Sequence, residues 1–139
     1  MSNFDYAFNH FRPAIGFAYL RFILNGLTTY QVMHNLPESS GTNRCIFGCP
    51  TGEDCLKHYW SCHFVKEAFT SCVPGQKWDN QPTSFFILGG TATHQQLAPR
   101  LRFLYSLYLA YNKVKHLPAD SCNPVALIKE FYQISSWSS

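Results

Sequence analysis

Charge is what this sequence has least of. Only 14% of its 139 residues are Asp, Glu, Lys or Arg, against roughly 25% in an average soluble domain. So few ionic groups cannot solvate a large surface, and part of that surface is expected to be covered by a partner. Acidic residues are missing altogether between Asp79 and Asp120, a span that holds Arg100, Arg102, Lys113 and Lys115. Such a span is either a solvated helix face or a patch for phosphate. The net charge of +3 is too small to single out nucleic acid by itself.

Other absences narrow the choice further. The opening residues, MSNFDYAFNH, have no basic start followed by an apolar run, so no secretory signal is expected. They also lack the Arg- and Ser-rich pattern of a transit peptide. The most apolar stretch, LRFLYSLYLAY at 101–111, is too short to span a bilayer and is flanked by Arg100 and Lys113, so no transmembrane segment is expected. The expected setting is therefore intracellular and reducing, where clustered cysteines point to metal or catalysis rather than disulfides. No paired-carboxylate motif, phosphate-binding glycine loop or serine elbow occurs, and LGGT at 88–91 is a lone double glycine. Neither catalysis nor a small-molecule substrate is expected. There is no internal repeat, and the only biased segment is a serine-rich tail at 135–139.

What the chain does have is apolar material. Hydrophobic residues make up 46% and aromatics 17%, ample for one packed core in a single domain over 1–139. The apolar residues recur mostly at helical spacing. PAIGFAYLRFILNG opens with Pro13 at a first helical turn and closes at Gly26, a C-terminal cap. TTYQVMHNLP reads as a second, short helix. Asp54 is placed to cap a helix through CLKHYWSCHFVKEAFTSC. VPGQKWDNQPT is a turn-rich connector, and SFFILGG is a strand or a helical turn.

Thr93 with Gln96 fits a capping box, but Pro99 places the start of regular helix nearer Ala98, running to about His116. Leu101, Phe103, Leu104, Tyr105, Leu107, Tyr108 and Tyr111 surround that helix, which predicts burial on several sides. Asn123 caps a closing helix with Pro124 in its first turn. The expected fold is all-α: about five helices around one structural metal loop, with little or no strand.

The residues that carry chemistry are concentrated in NRCIFGCPTGEDCLKHYWSC, which holds four of the six cysteines and a histidine. Cys45 and Cys49 lie in a Gly- and Pro-containing loop that can turn two thiolates toward one point. His58 and Cys62 lie four apart, on one face of the expected helix. A loop pair and a helix pair complete a tetrahedron around zinc, with the spacing C-x3-C-x8-H-x3-C. The zinc-binding unit spans 43–66.

Cys55 and His63 are rivals. Cys55 and Cys62 are about 10 Å apart along a helix and cannot share one ion unless the helix breaks. Cys55 with His58, three apart, stays open. His63 points about 100° from Cys62 and is expected at the surface or against a partner. Four protein ligands leave no open position, so the expected zinc is structural rather than catalytic. Cys72 and Cys122 have no metal-like neighbours and are expected to be small buried residues.

CIFGCPTGEDCLKHYWSC resembles the zinc-binding domain that follows the polymerase in reverse transcriptases of non-LTR retrotransposons. That family shows a cysteine pair, a short acidic loop, and a helix carrying His and Cys. LRFILNGLTTYQVMHN upstream and FFILGG…LRFLYSLYLAYNKV downstream are similar to the helices flanking that domain, so the likeness covers roughly 18–115. The resemblance carries Cys45, Cys49, His58 and Cys62 over as zinc ligands. Two intervals depart from the family: two residues commonly separate the first cysteines and four separate His from Cys, whereas both intervals here are three. With no polymerase palm before it, the chain resembles a detached or reused fragment.

That resemblance implies binding to RNA or DNA. Arg44, Lys57 and Lys66 flank the proposed zinc site, Tyr59 and Trp60 are candidates for base stacking, and Arg100 and Arg102 supply further positive charge. The alternative is a structural or adaptor subunit of a large protein complex, in which low charge and abundant aromatics serve docking and zinc only fixes the shape.

Overall fold

The computed structural model describes residues 6, 9, 11–23, 45, 47, 56–59, 61–76, 94–114 and 123–134. They form four helices of ten or more residues and one single turn, with no strand among the described residues. The all-α expectation holds. The expected short helix in TTYQVMHNLP, the run SFFILGG and the cap Asp54 lie outside the described residues.

Helix α1 is Pro13–Ile23. Pro13 stands at its first position, where a missing N–H costs nothing, and the Ile15 N–H bonds the Arg12 carbonyl at 2.9 Å. Phe11, Ile15 and Ala18 are buried at helical spacing. Helix α2 is the single turn Leu56–Tyr59 and α3 is His63–Cys72. On α3, Val65, Ala68 and Phe69 are buried while His63, Lys66, Glu67, Thr70 and Ser71 face outward. This is an ordinary amphipathic stripe.

The expected continuous helix through 54–72 is therefore corrected: it breaks between Tyr59 and His63. The cause is local. Both the backbone N–H and the hydroxyl of Ser61 donate to the His58 carbonyl, at 2.8 and 3.0 Å. In an unbroken helix that carbonyl would take the Cys62 N–H. A serine hydroxyl competing for a carbonyl is a known way to end helical pairing. The Cys62 N–H turns instead toward the Tyr59 carbonyl at 3.4 Å, and Cys62 itself is extended, with φ −67° and ψ 128°.

Helix α4, His94–Val114, starts four residues earlier than Pro99 led one to expect, with Pro99 inside it. Proline removes one helical hydrogen bond and crowds the turn before it. Gln76, just beyond α3, bridges that weak point. Its Nε2 donates to the Gln96 carbonyl at 2.9 Å, and its Oε1 accepts from Arg100 Nε at 2.6 Å. One amide thus ties together the residues on either side of Pro99.

Helix α5 is Pro124–Ile134. Asn123 caps it as expected: its Oδ1 accepts from the N–H groups of Val125 and Ala126 at 3.1 and 3.3 Å.

Helix α4 is the centre of the fold, packed against α5, α1 and α3, while α3 also packs on α5. Leu97, Leu101, Phe103, Leu104, Tyr105, Leu107, Ala110 and Tyr111 are all buried, so apolar residues around its circumference do meet several neighbours. The buried Ser106 satisfies its hydroxyl by donating to the Arg102 carbonyl at 2.8 Å. Phe69 meets Phe103 edge-on at 5.1 Å, locking α3 onto α4. The Arg12 Nη2 donates to the Tyr105 hydroxyl at 3.1 Å and ties the start of α1 to the same helix.

Candidate metal centre

Three of the expected ligands converge. Cys45, His58 and Cys62 each offer a ligand atom, and these atoms all lie within 4.8 Å of one another. Each is positioned by an apolar neighbour in the core. Phe47, two residues after Cys45, meets Tyr59 at 5.2 Å; Tyr59, next to His58, meets Tyr111 of α4 at 5.9 Å. Phe47 and Tyr111 close the trio at 6.3 Å. All three rings are 2% exposed or less. Burial of these rings, each contributing a large apolar area, holds the loop and the turn to one place on α4. Cys62 is fixed from the other side, because it opens α3 and that helix is anchored by Val65, Ala68 and Phe69.

The helix break matters here. His58 and Cys62 converge through the Ser61 turn rather than along one helix face, so they meet by a geometry other than the one expected.

The donor set fits a metal ion on three counts. The Cys45 and Cys62 sulfurs are 3.8 Å apart. Two thiolates about 2.3 Å from an ion at the tetrahedral angle stand about 3.8 Å apart. Neither cysteine is in a disulfide, and the separation is far beyond an S–S bond of about 2.05 Å. Finally, His58 Nε2 is buried and has no hydrogen-bond partner among the described residues. An orphaned buried nitrogen costs on the order of 1–3 kcal/mol, and an ion would satisfy it.

The electrostatics agree. The Cys45 thiol beside it pulls the pKa of Cys62 down to about 5, against the opposing effect of burial, with help from the Val65 and Phe64 N–H groups and from His58. Those N–H groups open α3. The sulfur makes no capping hydrogen bond of ordinary geometry, but it lies where the positive end of a helix favours an anion. A thiolate rather than a thiol is the form that binds metal.

No family model, curated protein or solved structure matches the chain. What can be said of the centre therefore rests on its own residues.

Cys49, Cys55, Arg44, Trp60 and Cys122 lie outside the described residues, as does the side chain of Lys57. The helix break removes the premise that kept Cys55 and Cys62 apart. His63 turns away from the centre. It is exposed, with Nε2 3.9 Å from the Glu67 carboxylate on the outer face of α3, as its spacing from Cys62 suggested. Lys66 is exposed on the same face.

Tyr59 is a correction. It is fully buried, so its ring packs in the core and cannot stack on a base. Arg100 and Arg102 are half-buried and already engaged, Arg100 with Gln76 and Arg102 with its guanidinium 4.9 Å from the centre of the Tyr132 ring. Cys72 is half-buried and outside the centre; burial pushes its thiol up to about 11, with Lys129 opposing.

Sequence reasoning did not find the aromatic floor, Ser61 or Gln76. A signal for the floor was present: an aromatic follows each of Cys45 and His58 within two residues, an arrangement that pins a ligand by burying its neighbour.

Proposed function

We propose that this chain is a non-catalytic helical module stapled by one zinc ion, held by Cys45, His58, Cys62 and, as fourth ligand, Cys49, and that the module binds nucleic acid. The observation that carries the zinc is the 3.8 Å separation of two buried sulfurs, neither in a disulfide, beside an imidazole nitrogen with no partner among the described residues. Two thiolates and an imidazole are soft and borderline donors, which favour zinc over calcium or magnesium. With Cys49 in the fourth position the ion is closed to water and substrate. Its contribution is then folding energy: it ties the loop at Cys45 to the entrance of α3.

The nucleic-acid reading rests on the resemblance of CIFGCPTGEDCLKHYWSC to the retroelement zinc domain, and on the acid-free span that holds Arg100, Arg102, Lys113 and Lys115. A second reading, a protein partner, is favoured by two large apolar side chains at the surface, Phe17 at 57% and Ile134 at 68% exposure, and by the burial of Tyr59 away from any base. No helix among the described residues is long and apolar enough to cross a membrane.

Metal analysis of the purified chain tests the staple. About one zinc per chain is expected, and removal by a chelator should lower the melting temperature and the far-ultraviolet helical signal. A metal-free native chain, or one whose melting ignores the chelator, overturns it. Binding isotherms with RNA and duplex DNA then separate the two partner readings.

A further inference from the structure

The two sulfurs of the centre are also a ready-made redox pair. Cys45 and Cys62 are both reduced and 3.8 Å apart, and both belong to the candidate metal group; Cys49, the proposed fourth ligand, lies outside the described residues. They come from segments 17 residues apart in sequence. We propose that the centre is a peroxide-sensitive switch, in which oxidation joins Cys45 to Cys62 as a disulfide and expels the metal. This rests on the reading of the site as a zinc staple and adds its regulation.

The steps balance without a further reactant. Cys45 is 5% exposed and Cys62 fully buried, so Cys45 meets a small oxidant first. Its sulfur attacks one oxygen of hydrogen peroxide. The O–O bond breaks, and the products are a sulfenic acid on Cys45 and hydroxide, which is protonated to water. The Cys62 thiolate then attacks the Cys45 sulfur. The S–O bond breaks, an S–S bond forms, and the leaving hydroxide takes a proton to become a second water. Two cysteines have lost two electrons and one peroxide has gained them. Condensation of a sulfenic acid with a nearby thiol is the usual reversible fate of such a group.

The pair has to close from 3.8 Å to about 2.05 Å. Two of the ion's ligands are then neutral disulfide sulfurs, which do not hold it, and it leaves. The new bond links the Cys45 loop to the entrance of α3, the same two segments the ion had joined. The oxidised chain therefore keeps its attachment there, and thiol reduction with fresh zinc reverses the change.

The experiment treats the zinc-loaded full chain with hydrogen peroxide and follows three readouts. These are zinc release by a colorimetric chelator, intact mass, and the cysteine linkage by peptide mapping. Expected are zinc release in step with a loss of about two mass units, a Cys45–Cys62 linked peptide, and recovery of both zinc and mass after dithiothreitol. Cys72→Ser, which lies outside the group, should behave as the parent chain in all three readouts; a variant that no longer forms the disulfide would mean that Cys72 takes part and would overturn the Cys45–Cys62 assignment. A chain that carries zinc but gains oxygen without a disulfide, links a different pair, or keeps its zinc overturns the switch alone. A chain that carries no zinc before treatment overturns the staple and the switch together.

Discussion

At His58, one carbonyl and one ring nitrogen have separate fates. The carbonyl is taken by Ser61, which ends α2 and lets Cys62 swing in. The ring nitrogen Nε2 stays buried and unpartnered among the described residues. Residue types therefore nominate the candidate ligands, and two hydrogen bonds from one serine set how they converge. Cys62→Ser should release the metal and melt the loop–turn unit, read as lost zinc content and a lower melting temperature. Cys72→Ser should keep the metal, because Cys72 is not part of the group. If Cys62→Ser retains a full equivalent, the assignment of the centre is wrong.

Cys72 has a consequence of its own. Its thiol is raised from 9.0 to about 11 by burial, and the Tyr132 hydroxyl is raised by burial as well. A raised acid holds its proton longer in the folded state than in the unfolded one. The stabilisation is complete below the unfolded value of 9.0 and is lost as pH rises toward 11. The melting temperature should fall across that window, and Cys72→Ala should fall less steeply. Parallel curves for parent and variant would contradict the burial argument.

Among the elements, those bounded by local chemistry were legible in the sequence and those shaped by competition were not. Pro13 and the Asn123–Pro124 pair mark helix starts by rules that need only neighbouring residues, and the chain follows them. The break after Tyr59 turns on whether a serine hydroxyl outbids a backbone N–H, which periodicity cannot rank. The early start of α4 turns on a side chain from elsewhere: Gln76 compensates for Pro99 from 20 residues before Gln96. The centre divides in the same way. Its residue types were readable from spacing, while the aromatic floor needed Tyr111, which only tertiary packing brings to Phe47 and Tyr59.

Two element-level changes follow. Asn123→Ala should cost about 1 kcal/mol of stability, the usual worth of such a cap, measured by denaturant midpoint. Gln76→Ala removes two hydrogen bonds, one of them to a charged group, and should cost about 1–3 kcal/mol while leaving zinc content unchanged. A neutral result for Gln76→Ala would mean that α4 tolerates Pro99 without help.

For the molecule as a whole, the question is what the surface around the candidate metal centre meets, and placement of the cations decides how to ask it. Arg100 and Arg102 belong to the fold, through Gln76 and Tyr132, so reversing their charge would confuse lost binding with lost stability. Lys66 on α3 and Lys113 at the end of α4 are exposed and can be changed with little structural cost. If phosphates are the ligand, affinity falls with salt, and the log–log slope counts the phosphates neutralised. Lys66→Glu and Lys113→Glu should then each weaken binding to mixed-sequence RNA or duplex DNA and flatten that slope by about one, with zinc content and melting temperature unchanged. If the partner is a protein, those reversals should matter little, and Ile134→Ala should weaken the complex, because apolar anchors carry interface energy out of proportion to their number. Nucleic-acid binding no tighter than about millimolar at low salt would eliminate the first reading and leave the exposed apolar side chains of α1 and α5 as the place to look.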